Sequence, residues 1–151
     1  MACYLGIVLL IILATRVLAF WGIHFLKFND ITLIPNALYF SYVENRGAAF
    51  GIFQDAKWLL IGVSVVLFLA ITYYVVSHRK NISKWMLIPL SMIAGGGISN
   101  VADRFQFGFV VDYIDFRFIN YPVFNLADIC VVLGVIWLAV IIWKSADSEK
   151  E

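Results

Sequence analysis

Four long apolar runs, separated by more polar stretches, dominate the chain. A membrane-spanning helix needs about 20 mostly apolar residues, and each run has about that length. The first run is interrupted only by Arg16, the third contains the triplet Gly95–Gly97, which would allow close helix approach, and the fourth contains a single acid, Asp128. The pattern predicts four spans, at about residues 4–23, 58–77, 85–103 and 124–143.

The stretches before the second run and after the third have the character of β-strands. Ile31–Ile34 and Ala37–Val43 are rich in β-branched and aromatic residues, with a proline-containing break between them. Phe105–Phe118 is similar but is interrupted by Gly108. The chain is therefore predicted to be an α-helical integral membrane protein. Residues 1–151 would form one membrane domain, with four transmembrane helices and a small extracytoplasmic β-sheet at the membrane surface.

Composition supports the membrane assignment and removes other classes. Hydrophobic residues make up 63% of the 151 positions and charged residues 14%, whereas soluble domains carry about 25% charged residues. A soluble domain of this size could not bury so much apolar surface. The net charge is +1 and no basic stripe is present, so no nucleic-acid partner is expected.

The connection at residues 78–84 sets the predicted orientation. It contains three lysine or arginine residues and no acid, and such loops stay in the cytoplasm. Four spans then place both termini in the cytoplasm. The segments at about residues 24–57 and 104–123, with the predicted sheet, would lie on the outer side.

Aspartates and asparagines gather near the outer ends of the spans. Asn100 and Asp103 end the third span, and an equivalent Asn-x-x-Asp pattern, Asn125 and Asp128, begins the fourth. At this spacing the amide and the acid share one helix face. Between the two patterns, Asp112 lies on a predicted strand, facing away from both its neighbours. Acids inside or at the edge of a membrane are costly and usually functional.

The aspartates near the outer ends of the spans could act as a catalytic pair of carboxylates. The two histidines fall on opposite sides of the predicted membrane, and Cys3 and Cys130 lie far apart in apolar stretches, so neither a metal site nor a disulfide is expected. Two close aspartates share one proton because they cannot both ionise. One can then take a proton from water while the other protonates a scissile carbonyl, as in aspartic proteases.

Structural explanations of the same residues stay open at this point. Asp103 and Arg104 are adjacent and could form an ion pair that closes the third helix. Asp128 could be only an interhelical hydrogen-bond partner, Asp112 a strand-edge acid and Asn45 a turn residue.

Four motifs follow one another along the chain. They are Asn45-Arg46-Gly47-Ala48-Ala49-Phe50-Gly51, Ser99-Asn100-Val101-Ala102-Asp103-Arg104, Val110-Val111-Asp112-Tyr113 and Phe124-Asn125-Leu126-Ala127-Asp128. In order and spacing they resemble the motifs of bacterial lipoprotein signal peptidase, also called signal peptidase II. The resemblance extends over roughly residues 35–134. Four ordered motifs are far more specific than any one of them.

The resemblance implies a function and a set of site residues. The family consists of membrane aspartyl endopeptidases that remove signal peptides from diacylglyceryl-modified prolipoproteins, cleaving before the lipidated cysteine. Asp112 and Asp128 match its catalytic aspartates. The positions expected to bind substrate or support the site are Asn45, Gly47, Asn100, Asp103, Arg104 and Asn125.

The same resemblance implies partners and a location. The family needs no cofactor and no metal. Its partners are the prolipoprotein substrate, membrane lipid and globomycin-type inhibitors. Its members lie in the bacterial cytoplasmic (inner) membrane as multi-pass proteins, with the active site facing outward.

One departure from the family pattern leaves other hypotheses open. The family's first span ends with Asp-Gln-x-Thr/Ser-Lys, whereas this chain has Ile12-Leu13-Ala14-Thr15-Arg16. A catalytically silent relative that binds lipoproteins or signal peptides is therefore a second hypothesis, although both Asp112 and Asp128 are present. A small transporter or channel subunit is a third, but it would need polar residues throughout the membrane depth, and the second span has almost none.

Overall fold

The computed structural model describes residues 1–48, 51–119 and 121–148; Ala49 and Phe50, in the first of the four motifs, lie outside the described residues. Within the described part, long helices alternate with short strands. The elements are α1 (Ala2–Trp21), β1 (Ile31–Ile34), β2 (Leu38–Asn45), α2 (Lys57–Ser77), α3 (Lys84–Phe107), β3 (Val110–Phe116) and α4 (Leu126–Ser148). A π-helical turn, Gly22–Leu26, extends α1. All four helices are long and apolar enough to cross a membrane, so the predicted helical architecture is confirmed.

The helix boundaries lie within two residues of the prediction except at the ends of α3 and α4; α4 continues to Ser148, past the predicted end at residue 143. Helix α3 continues to Phe107, past the predicted end at residue 103, so the expectation of a strand at residues 105–107 is wrong. The helix ends where Gly108 adopts a φ of 89° and donates its N–H to the carbonyl of Arg104 at 3.0 Å. Glycine reaches this left-handed conformation without steric cost, which makes it the natural end of a helix. Arg104, predicted to lie in the outer segment, is therefore a helical residue.

The three strands form the small sheet that the sequence predicts; the structure shows that it is antiparallel, in the order β1-β2-β3. In β2 and β3, Val43 pairs with Asp112 and Asn45 pairs with Val110. This register puts the end of β2 directly beside the beginning of β3. As a result, Asn45 lies beside the strand that carries Asp112.

The glycine triplet of α3 has three different environments. A Cβ atom on Gly95 would lie 3.1 Å from the side chain of Ile11 on α1, and one on Gly96 would lie 2.5 Å from the backbone oxygen of Ala127 on α4. These two glycines therefore allow α3 to approach its neighbours closely. At Gly97, apart from the adjacent residues and the nearby backbone of α3 itself, no heavy atom of the described residues lies within 4 Å of the added carbon. The expectation of close helix approach thus holds for two of the three positions.

Apolar side chains are divided between two buried clusters and an outward-facing surface. One cluster joins α1, α2 and α3, around Tyr4, Val8, Val75, Leu87, Leu90 and Ala94. The other joins the end of α1 and the turn after it to β3, around Ala19, Leu26, Val111 and Tyr113. Elsewhere the helices expose large apolar side chains; Leu10, Val17 and Trp58 are each at least 67% exposed. This surface is what lipid covers in a membrane-embedded protein.

Candidate active site

Side chains along β3 point alternately to its two faces, and this alternation places Asp112 in the interior of the site. Its neighbours Val111 and Tyr113 point into the apolar cluster beneath the sheet, so the Asp112 side chain points the other way, and the residue is 1% exposed. Its Oδ2 accepts a hydrogen bond from Asn45 Nδ2 at 2.8 Å, and its Oδ1 accepts one from Asn125 Nδ2 at 2.7 Å. Asp112 is thus not an ordinary strand-edge acid, because two side-chain amides donate to both its oxygens.

Asp128 lies in the first turn of α4, in a reciprocal cap with Asn125. The backbone N–H of Asp128 donates to Asn125 Oδ1 at 3.1 Å, and the backbone N–H of Asn125 donates to Asp128 Oδ2 at 3.0 Å. This exchange satisfies two backbone donors that a helix start leaves free. The second oxygen of the carboxyl group, Oδ1, accepts from Asn100 Nδ2 on α3 at 2.8 Å. The interhelical hydrogen bond expected for Asp128 is therefore present, within a larger network.

Asn125 connects the two carboxyl groups. Its Nδ2 donates to Asp112, and its backbone N–H donates to Asp128. The same Nδ2 is also 3.2 Å from Asn100 Oδ1. Three asparagines, from β2, α3 and the start of α4, thereby join the two acids in one hydrogen-bond network.

The environment of Asp112 favours its protonated form. Burial is the main reason that the pKa of Asp112 is raised to about 7, and the charge of Asp128 raises it further. The hydrogen bonds from Asn45 and Asn125 and the charge of Arg104 act in the opposite direction. Near neutral pH the pair can therefore hold one proton, which is the condition for one acid to act as a base and the other as an acid.

Arg104 connects the end of α3 to the loop after β2. Its Nη2 donates to the carbonyl oxygen of Gly47 at 2.6 Å, and its Nη1 lies 3.4 Å from the carbonyl oxygen of Asn100. Gly47 in turn donates its N–H to Asn45 Oδ1 at 3.0 Å, so Asn45 is both a turn residue and a donor to Asp112. A Cβ on Gly47 would lie 2.9 Å from the backbone oxygen of Ile52, which explains the glycine there.

Asp103 faces away from the two acids, toward α1. It forms an ion pair with Arg16 at 2.5 Å, so the proposed pairing of Asp103 with Arg104 is wrong. Its other oxygen accepts the backbone N–H of Val111 at 3.3 Å, directly before Asp112. Asp103 therefore supports the strand from behind rather than lining the site. The sequence contained a signal for this pair, because a lone charge in an apolar span requires a partner inside the bundle.

Thr15 and Ser99 extend this support between α1 and α3. The Thr15 hydroxyl lies 2.8 Å from Ser99 Oγ, and Arg16 Nη2 donates to the Ser99 carbonyl at 3.2 Å. Both hydroxyl residues are buried, and neither is among the residues predicted for the site. Ile12, four residues before Arg16, packs against the apolar cluster around Tyr4.

A cavity of about 360 Å³ opens in front of the two acids. Its polar part is lined by five of the residues predicted for the site, Asn45, Asn100, Arg104, Asp112 and Asp128. Its apolar part continues along α2, α3 and α4, where it is lined by side chains such as Leu60, Phe68, Ile93 and Val131. Of the other predicted residues, Asn125 and Gly47 hold this lining in place, and Asp103 lies behind it.

Metal ligands are not grouped in the same way. Across residues 1–48, 51–119 and 121–148, no group of three or more histidine, cysteine or acidic side chains could hold a metal ion. The polar side chains at the cavity include two carboxyls, two amides and one guanidinium. They can bind a peptide backbone by hydrogen bonds and exchange protons with water.

Comparison with known proteins identifies relatives over nearly the whole chain. A family model described as signal peptidase (SPase) II matches residues 7–144. The lipoprotein signal peptidase of Clostridium tetani is 41% identical over 147 residues, which cover 95% of this chain and 94% of that protein. The lipoprotein signal peptidase of Clostridium novyi is 39% identical over 137 residues, covering 88% and 92%. That of Streptococcus agalactiae serotype III is 35% identical over 139 residues, covering 91% and 90%.

Solved structures agree in fold. A bacterial membrane enzyme determined by the in meso method at 2.3 Å resolution has a TM-score of 0.91 at 24% identity, covering 100% of this chain and 93% of that one. A second, determined at 1.9 Å resolution, has a TM-score of 0.82 at 23% identity, covering 94% and 93%. At these identities the likeness concerns the fold alone.

Proposed function

The chain belongs to the signal peptidase II family, whose members are membrane peptidases that cleave the signal peptides of lipoproteins, and we propose that Asp112 and Asp128 are its catalytic pair. One observation supports this proposal most directly. Asn125 donates one hydrogen bond to each carboxyl group, at 2.7 Å and 3.0 Å, so the two acids share one buried bridge. Both line the same cavity.

In the proposed reaction the pair shares a single proton. The ionised carboxyl takes a proton from a water molecule, which attacks the scissile carbonyl, while the protonated carboxyl donates its proton to the carbonyl oxygen. As the tetrahedral intermediate collapses, the carboxyl that took the water proton gives it to the leaving nitrogen, and the other carboxylate takes a proton back from a hydroxyl of the intermediate. The C–N bond breaks and the signal peptide is released. Asn45, Asn100 and Asn125 hold the carboxyl oxygens at fixed positions throughout, so little reorganisation is needed.

We assign the apolar part of the cavity to a hydrophobic substrate. A diacylglyceryl-modified cysteine is held at the membrane surface by its acyl chains, and the preceding signal peptide is apolar. The cavity combines a polar end at Asp112 and Asp128 with an apolar continuation between α2, α3 and α4. A bond cleaved before the lipidated cysteine would meet the two acids at the polar end, while the signal peptide would follow the apolar lining. Arg104 would bind the substrate backbone or lipid beside them.

For the whole chain we propose one membrane domain in the bacterial cytoplasmic membrane. The basic connection between α2 and α3 would lie in the cytoplasm together with both termini, and the site and sheet would face outward. A green fluorescent protein fused to the C-terminus tests this orientation, because it becomes fluorescent only when it folds in the cytoplasm. A dark fusion that is correctly inserted would contradict the orientation.

Cleavage of a synthetic diacylglyceryl prolipoprotein by the purified protein in detergent tests the function. The wild type should release the signal peptide, and Asp112→Asn and Asp128→Asn should each abolish release. Asp115→Asn is the matched control, because Asp115 lies on the same strand but pairs with Arg117 at 2.7 Å instead; it should cleave like the wild type. Addition of a globomycin-type cyclic peptide should block the wild type.

The outcomes separate the proposal from its alternative. Activity in a folded Asp112→Asn or Asp128→Asn variant would refute the assignment of the pair. Binding of the prolipoprotein without cleavage by the folded wild type would favour a catalytically silent relative.

A further inference from the structure

Gly97 is the only member of the α3 glycine triplet that lines the cavity. Gly95 and Gly96 are explained by the close approach of Ile11 and of the Ala127 backbone. No such contact explains Gly97, because the space around a Cβ atom there is open to 4 Å within the part of the chain that the structure describes. The absence of a side chain at Gly97 thus widens the cavity and serves no visible purpose in helix contact.

The position of Gly97 relates this space to the cleaved bond. Gly97 lies one helical turn from Asn100, which donates a hydrogen bond to Asp128. Three residues of an α-helix rise about 4.5 Å. Measured along the α3 axis, the space at Gly97 therefore begins about 4.5 Å from Asn100, which contacts the catalytic pair. Beyond Asp128 on α4, Val131 also lines the cavity. The region is apolar and adjoins the reacting atoms.

Residues of the signal peptide reach this region more directly than the acyl chains do. Consecutive Cα atoms of an extended peptide are about 3.8 Å apart, so one of the three residues before the cleaved bond comes within reach of Gly97. The acyl chains are attached through the cysteine sulfur, a glycerol unit and ester groups, and their apolar part starts much farther from the bond. The space at Gly97 is therefore suited to an apolar amino-acid side chain.

We propose that Gly97 is a specificity-determining residue, whose missing side chain makes room for one of the three signal-peptide side chains that precede the cleaved bond. This inference rests on the proposed function. Larger residues at position 97 narrow the same space from the helix side. The enzyme should then reject large substrate side chains at that position while it still accepts small ones.

The test compares Gly97→Ala and Gly97→Val with the wild type on a set of synthetic substrates. The substrates carry Gly, Ala, Val or Leu at each of the three positions before the diacylglyceryl cysteine, and relative kcat/KM is measured by competition. A methylene group that does not fit an apolar pocket costs about tenfold or more. For Gly97→Val we expect a decrease of about that size for the larger side chains at one of the three positions, relative to glycine there, and a smaller decrease for Gly97→Ala.

Gly62→Val is the matched control. Gly62 lies on α2, a Cβ atom there meets no described atom within 4 Å, and the residue is not among those lining the cavity. This variant should keep the wild-type preference at all three positions. Circular dichroism and a thermal scan of each variant check that the helices are intact.

Distinct results would overturn the proposal. A Gly97→Val enzyme that loses the same factor on every substrate, or that keeps the wild-type preference, contradicts a role in side-chain selection. A response to acyl-chain length rather than to side-chain size would show that lipid occupies the space. Failure of both Gly97 variants to fold would show that the space is not open. A folded wild type that cleaves none of the substrates would overturn the proposed function as well.

Discussion

Substitution of Asn125 separates two tasks that one side chain performs. Its Oδ1 caps α4 by accepting the N–H of Asp128, and its Nδ2 donates to Asp112 at 2.7 Å. Alanine at this position removes both interactions. Serine retains an oxygen that can cap the helix, but it has no donor that reaches Asp112. Asn125→Ala and Asn125→Ser should therefore lose activity alike and differ in stability.

The structure sets the size of both effects. Loss of an N-cap oxygen costs about 1 kcal/mol of unfolding free energy, and only Asn125→Ala should show this difference. A hydrogen bond from Asn125 to the ionised form of Asp112 contributes about 1.5–3 kcal/mol. If this interaction orients Asp112 for the reaction, its loss lowers the rate about 10- to 150-fold, and both variants should fall in that range.

Two measurements on the same preparations check the reasoning. Denaturant titration in detergent gives the unfolding free energy, and release of the signal peptide from a synthetic prolipoprotein gives kcat. Wild-type kcat in Asn125→Ser would refute the bridging role of Asn125, because the donor to Asp112 is absent in this variant. Equal unfolding free energies for the two variants would refute its role as the helix cap.

Other parts of the structure lead to three more expectations. Between about pH 4 and 7 the unfolding free energy should fall as pH rises. The reason is that native Asp112, with a pKa of about 7, retains a proton that the unfolded chain releases near 3.8. In denaturant titrations at several pH values, Asp112→Asn should flatten this slope. Arg16→Met should cost about 3 kcal/mol of unfolding free energy, since Asp103 is left buried without its partner; this is the lower end for a broken buried pair because the Arg16 side chain is 27% exposed. Arg16→Lys should cost less than half of that, and equal losses would contradict a charge interaction. In thermal scans Gly96→Val should melt at a lower temperature than Gly97→Val, because a Cβ at Gly96 would lie 2.5 Å from a backbone oxygen of α4; the reverse order would refute this account of the triplet.

The two Asn-x-x-Asp patterns differ in whether their hydrogen-bond partners can be predicted from the local sequence. In the second pattern, Asn125 and Asp128 bond to each other, and a three-residue spacing at a helix start predicts such a contact. The first pattern has the same spacing but different bonds: Asn100 reaches α4, while Asp103 reaches Arg16 on α1. Their partners depend on which helices flank α3, and no local pattern contains that information.

The amino-acid sequence by itself determined the four apolar helices, the strand-forming segments and, through the resemblance of four motifs, the family and the residues proposed for the site. Hydropathy, β-branching and motif spacing are local properties, so they can be recognised without the fold. The tertiary structure decided how the helices are rotated against one another. That rotation turned Gly95 and Gly96 toward neighbouring helices and Gly97 toward the cavity, and it placed Asp103 behind the site and Asp112 within it. These outcomes depend on contacts between residues far apart in the chain, because helix orientation is set by the side chains of all the neighbouring elements together.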